Sequence, residues 1–189
     1  AGSNHLHHPR YVGHQVPPTL PVAALAELTV ALLNNSLAVS EMGPSGAAIE
    51  RSLIEWMTGA VGWGAGAGGV LTSGGALGNL TALLAARQAK AGDSWNDGTA
   101  PRLAILASEQ AHYSVERAVR VMGFGRHGFV PVPVDETFRL RASALEESYR
   151  AATRAGLTVI AVSASACSTA TGTYDPLEEI AEFCAAQGL

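Results

Sequence analysis

The stretch Leu103-Ala104-Ile105-Leu106-Ala107-Ser108-Glu109-Gln110-Ala111-His112-Tyr113-Ser114 decides the fold. Its first five residues are apolar without alternation, the pattern of a strand covered on both faces. A helix is expected from about Ser114 to Met122, so the polar residues between form a loop beyond the carboxyl end of a strand. Downstream the same unit recurs. The apolar run Phe129 to Val132 leads to a helix over Ala142 to Ala155. A third run, Thr158 to Val162, ends in a Ser/Thr-rich turn, after which Pro176 opens a last helix reaching Gln187. Upstream, Val70-Leu71-Thr72 reads as a short strand and Ser73 to Asn79 as a loop, with a helix from there to about Lys90. This alternation predicts an α/β fold, a mostly parallel sheet with helices on both faces. Ligands of such sheets lie beyond the carboxyl ends of the strands. The loops after Thr72, Ala107 and Val162 are therefore where chemistry is to be sought.

Before this region, Pro17, Pro18 and Pro21 form an extended lead-in to a helix over Val22 to Val39 that is apolar on most faces. Such a helix is expected between layers or at a subunit interface. Gly43-Pro44 ends it, and a second helix follows over Ser45 to Gly59, with Ile49, Leu53, Trp56 and Met57 at core spacing. Two parts are expected: an N-terminal segment with an interface helix over 1–44, and the first part of a ligand-binding domain over 45–189.

Apolar residues make up 48% of the 189 and charged residues 15%, which excludes a disordered chain. A net charge of −4 gives no electrostatic basis for nucleic acid or an anionic membrane. No uninterrupted apolar run reaches the ~18 residues of a membrane span, and nothing reads as a secretory leader, so a cytoplasmic location is expected. Cys167 and Cys184 are too few for a disulfide framework and are expected to be free thiols. His5, His7 and His8 cluster, but no carboxylate or cysteine stands at ligand spacing, so no metal is expected.

Each loop taken alone leaves alternatives open. Glycines at 74, 75 and 78 ahead of a helix suit a bound phosphate, through free N–H groups and the helix dipole. Glycines also serve tight turns with no ligand, and the loop is neither a Walker loop nor a dinucleotide fingerprint. His112, at a strand end before a helix, suits stacking on a planar ring or proton transfer, and equally suits a helix cap. The hydroxyls of 163–173 suit a phosphate or ring substituent, and equally the backbone of a turn.

Four stretches taken in order are more specific: His8 through Gln15, Gly69 through Leu84, Ser108 through Ala118 with His112, and Ser168-Thr169-Ala170-Thr171-Gly172-Thr173-Tyr174-Asp175-Pro176-Leu177. In these the whole chain resembles the group II pyridoxal-phosphate-dependent amino-acid decarboxylases. The resemblance implies the large domain of the fold type I transferases and pyridoxal 5'-phosphate as cofactor. It implies decarboxylation of an L-amino acid to its amine, or a related carbon–carbon lyase or aldehyde-forming reaction. Gly74, Gly75 and Ala76 would meet the cofactor phosphate, although many relatives carry a hydroxyl residue at the Ala76 position. His112 would stack on the pyridine ring beside the substrate carboxylate and is the implied catalytic residue. Ser165 would lie near the ring hydroxyl, and His14 would line the substrate pocket. Relatives are homodimers with active sites at the interface.

That chemistry needs a lysine to hold the cofactor and a carboxylate at the ring nitrogen. Of 12 basic residues 11 are arginine; the one lysine, Lys90, matches no lysine of the family and is expected as a solvated charge at a helix end. The resemblance thus implies a split, nicked or shortened enzyme completed by a C-terminal polypeptide carrying the aspartate and lysine. Two other readings remain: a non-catalytic, lysine-free homologue, and a simple phosphate-binding α/β domain.

Overall fold

The computed structural model describes residues 2–99 and 102–189. They form two compact units, the first ending at Leu71 and the second running from Thr72 to Leu189. The first unit holds α1 (Pro21–Leu33) and α2 (Pro44–Ala60), each with a proline at its start, where the missing N–H costs nothing. α1 stops short of the expected Val39. Asn34 enters the left-handed region at φ 46° and ψ 39°, and its N–H returns to the Val30 carbonyl as a C-cap. Ile49, Leu53, Trp56 and Met57 do not form the expected core: all four are exposed. The spacing gives α2 an apolar face, but among the described residues of the unit no sheet or further layer covers it. Val70–Thr72 is likewise not a strand. A ladder needs a neighbour, and the Leu71 N–H donates instead to the Glu50 carboxylate at 2.9 Å.

The second unit holds α3 (Gly75–Lys90), β1 (Leu103–Ser108), α4 (Tyr113–Val121), β2 (Phe129–Val132), α5 (Leu145–Arg154), β3 (Thr158–Ser163) and α6 (Leu177–Gln187). The sheet is parallel, in the order β2-β1-β3. From β1 the chain steps to one side and then crosses back over β1 to the other. Right-handed crossovers in opposite directions put their helices on opposite faces. The cores show this. Leu103, Ile105 and Ala107 of β1 join Ile160, Leu83 of α3, and Val115, Ala118 and Val119 of α4. Ala104 and Leu106 face the other way, with Val132, Val159, Leu145 and Ala152 of α5, and Ile180 of α6. All six residues of β1 are buried, as its unbroken apolar run requires, and removing a side chain such as Ile105 from water stabilises by about 2–3 kcal/mol.

α3 starts at Gly75, earlier than expected, because the Gly74 carbonyl already accepts from the N–H groups of Leu77 and Gly78, at 3.1 and 3.0 Å. Lys90 is exposed at the far end of this helix, and its ammonium also donates to the Gly188 carbonyl at 2.7 Å. The turn from α4 into β2 runs through Gly123 and Gly125, at φ 82° and 71°, and closes on buried Gly128. A Cβ at 128 would stand 2.9 Å from the Leu103 backbone carbonyl and 3.1 Å from Val119 Cγ1. Because the carbonyl belongs to the central strand and cannot swing away, Gly128→Ala is expected to destabilise the protein by about 1–3 kcal/mol in chemical denaturation. Among the described residues no helix is long and apolar enough to cross a membrane.

Candidate active site

Residues Ala107 of β1 and Ser163 of β3 are register partners, so the loops leaving these two strands start side by side at the carboxyl edge of the sheet. The first carries His112 and the second Ser165. His112 is the N-cap of α4, with extended backbone, and its ring stands exposed at that edge. Nδ1 accepts from the Ser114 N–H at 3.3 Å and lies 2.7 Å from Ser114 Oγ. The capping role that sequence allows is therefore real, and it leaves Nε2 pointing away from the helix end. Ser114 Oγ, in a residue only 2% exposed, accepts in turn from Asn79 Nδ2 at 2.8 Å. Asn79 lies one turn inside α3, so this bond brings the glycine-led end of α3 beside His112.

At that end, Gly74 is the N-cap and no side chain caps the helix. The N–H groups of Gly75 and Ala76 are among those an α-helix leaves without an internal partner. Ideal Cβ atoms at Gly74 and Gly75 meet nothing within 4 Å, so the space before them is open. An uncapped helix start, two free N–H donors and open space are what an anionic phosphate requires, and the residues present fit it.

Loop 164–175 is held from behind. Asp175, 6% exposed, accepts through Oδ1 from the Leu140 N–H at 2.8 Å and through Oδ2 from the Ser165 N–H at 2.7 Å. Its own N–H donates to the Ser165 carbonyl at 2.9 Å. Arg139 Nε adds a bond to the Tyr174 carbonyl at 2.9 Å. Ser165 is thus fixed through its backbone, and among the described residues no hydrogen bond holds its hydroxyl. Cys167 is exposed in the same loop, and Cys184 is half-buried with its thiol pushed above the ordinary range by burial, away from reactive thiolate character.

The second unit therefore places Gly74, Gly75 and Ala76 beside His112, and Ser165 on the loop leaving the neighbouring strand at the same edge. His14 belongs to the first unit, where it sits in an exposed bend. Lys90 stands at the opposite end of α3 from Gly75, about 22 Å away at 1.5 Å per residue, so it does not reach this site. Asn79, Ser114 and Asp175 carry no role in the sequence reading, though all three lie within or next to the quoted motifs. Their signal was weak: a short polar residue near a helix start, and an aspartate before the proline that opens a helix.

Among the described residues no group of three His, Cys, Asp or Glu side chains gathers as a metal site. The pyridoxal-dependent decarboxylase conserved domain matches residues 2–189. The chain is 32% identical to an L-2,4-diaminobutyrate decarboxylase of Acinetobacter baumannii, covering 94% of this chain and 38% of that protein. It is 30% identical to the human cysteine sulfinic acid decarboxylase, covering 96% and 37% respectively. The structure of mouse CSAD in apo form superposes with a TM-score of 0.91 at 30% identity, over 96% of this chain and 39% of the mouse chain. The chain thus spans under two fifths of the length of these relatives. With its parallel sheet, its glycine-led α3 and the whole of its described length matching, this chain belongs to the pyridoxal-dependent decarboxylase family.

Proposed function

We propose that this chain forms the phosphate-binding and ring-stacking part of an enzyme that decarboxylates an L-amino acid to its amine with pyridoxal 5'-phosphate. The observation that carries the reading is that the α3 start is tied to His112 through Asn79 and Ser114, with Ser165 on the loop that leaves the neighbouring strand at the same edge of the sheet. When bound, the cofactor supplies an electron sink for the bond to carbon dioxide. The chain's own residues then have separable tasks. The N–H groups of Gly75 and Ala76, with Gly74 leaving the approach open, receive the phosphate. His112 covers one face of the ring and holds its Nε2–H toward the substrate carboxylate. Ser165 offers a hydroxyl to the ring's oxygen substituent, and His14 contributes to the substrate pocket.

In this reading the lysine and the ring-nitrogen carboxylate are supplied by polypeptide other than these 189 residues, since Lys90, the one lysine, stands at the far end of α3. The complete enzyme is proposed to be a cytoplasmic homodimer in which α1 lies at the interface. Its Val22, Leu25, Leu28, Val30 and Leu32 are all exposed within the first unit, and burial in a dimer would cover them.

The test is to load the assembled enzyme with pyridoxal 5'-phosphate and measure carbon dioxide and amine from diaminobutyrate, acidic and aromatic amino acids. Amine and carbon dioxide in equal amounts from one of them support the reading. Aldehyde in place of amine would select the aldehyde-forming alternative. A preparation that binds no cofactor would leave the non-catalytic homologue. Gly75→Asp separates phosphate binding from folding. A carboxylate in a helical first turn is neutral or stabilising by up to about 1 kcal/mol, and position 75 has room for it. Placed where the phosphate binds, it is expected to weaken cofactor affinity by about tenfold or more through like-charge repulsion, read as loss of cofactor absorbance on dilution.

A further inference from the structure

The polar line from Asn79 to His112 has only one consistent direction. His112 Nδ1 accepts from the Ser114 backbone N–H, so at that atom the neutral ring carries a lone pair and not a proton. The contact between Nδ1 and Ser114 Oγ, at 2.7 Å, then requires the serine hydroxyl to donate. With its proton spent on the ring, Ser114 Oγ is left as an acceptor, and Asn79 Nδ2 supplies the donor at 2.8 Å. Ser114 is buried and Asn79 half-buried, so water does not readily replace either partner. Asn79 also follows Gly75 by four residues and so stands above it on the same side of α3.

We propose that Asn79, acting through Ser114, is a positioning residue that reinforces the Nε2–H tautomer selected by the Ser114 backbone N–H and sets the ring's place relative to the anion-receiving end of α3. The inference rests on the proposed role of His112, but its physical core does not depend on the cofactor. An amide at 79 drives the relay toward the ring. The carboxylate introduced by Asn79→Asp, of the same shape, would reverse it. That carboxylate accepts the Ser114 hydroxyl proton and Ser114 Oγ becomes an acceptor toward the ring, so Oγ now favours a proton on Nδ1 while the Ser114 backbone N–H still opposes it, and part of the population moves to the Nδ1–H tautomer. Asparagine is therefore needed at this position for its donor, beyond its size.

The test uses the assembled enzyme with 15N-labelled histidine, the His112 signals being assigned by their loss in His112→Gln. Without cofactor, the wild type is expected to show Nδ1 unprotonated and Nε2 protonated in the neutral ring. Asn79→Asp is expected to shift intensity toward the opposite tautomer. Asn79→Leu, similar in size but without a donor, is expected to give a mixture and guards against misfolding of the charged variant. With cofactor and substrate, both variants should lose about tenfold in kcat while KM changes by less than about threefold. A wild-type ring protonated at Nδ1, or an Asn79→Asp spectrum identical to wild type, overturns the relay. Altered tautomers with unchanged kcat overturn the positioning role. An expected tautomer pattern in a protein that binds no cofactor would instead sink the proposed enzyme function and leave the relay standing, so the two failures are distinguishable.

Discussion

Asp175→Ala is expected to destabilise the protein by about 3 kcal/mol, because it leaves two backbone N–H groups without partners, one of them deep in the core. Leu140, one of these donors, is 1% exposed and packs in the core between the sheet and α5, so its amide has no route to solvent. The other donor, Ser165, is half-buried and loses both the Oδ2 bond and the constraint that holds it opposite the Asp175 backbone. Asp175→Asn tests the chemistry at constant shape. An amide offers one oxygen where the carboxylate offers two, so one N–H is turned against another and most of the loss should persist. Ser165→Ala removes only the hydroxyl, keeps the backbone bonds, and is expected to change stability by less than about 0.5 kcal/mol. Denaturant midpoints of the three variants decide the matter. A loss below about 1 kcal/mol for Asp175→Ala would mean that water reaches these amides, and that the loop is not clamped as described. Where the clamp holds, Asp175→Ala should also weaken cofactor binding more than Ser165→Ala does, since it displaces the whole loop.

The sheet was legible in the sequence because a strand covered on both faces has few ways to be written. Leu103–Ala107 and Thr158–Val162 needed no context, and the helices between them followed from periodicity. Helix ends were less legible. The Asn34 C-cap and the early start of α3 at Gly75 depend on single backbone conformations that composition only suggests. The expected core face of α2 fails for a different reason. Periodicity reports that Ile49, Leu53, Trp56 and Met57 share a face, but not whether anything in the same unit covers it. Val70–Thr72 fails likewise, since a strand is defined by a neighbour. The site shows the same division. Its three loops could be placed at strand or helix ends from local pattern. The bonds that give them their geometry, Asn79 to Ser114 and Asp175 to Leu140, each join residues 35 apart in the chain. Those pairings exist only once α3 lies against α4, and once loop 164–175 folds back on the turn before α5.

His112→Ala is expected to lower kcat of the assembled enzyme by about 10²- to 10⁴-fold, the range for loss of a positioned proton-bearing group. Two further losses accompany it and have to be separated. The N-cap acceptor of α4 disappears, which costs about 1 kcal/mol of stability, and Ser114 and Asn79 lose the end of their relay. The flat ring is also gone from the edge of the sheet, which is expected to weaken cofactor affinity by up to about tenfold if stacking is worth about 0.5–1.5 kcal/mol. His112→Phe restores the ring but neither nitrogen. It should recover cofactor affinity to within a few-fold of wild type while kcat stays low, because a phenyl edge offers no N–H to a carboxylate. Recovery of kcat in the phenylalanine variant would assign His112 to stacking alone, and the tautomer reinforced by Asn79 would then be without consequence for turnover. Loss of kcat in both variants, with affinity lost only in alanine, would divide the two tasks between the ring's face and its Nε2–H. That division is consistent with the geometry: Tyr113 packs against the ring with centroids 4.2 Å apart, so only the part of the ring it leaves uncovered can stack, whereas Nδ1 is committed to Ser114 and is not available to any substrate.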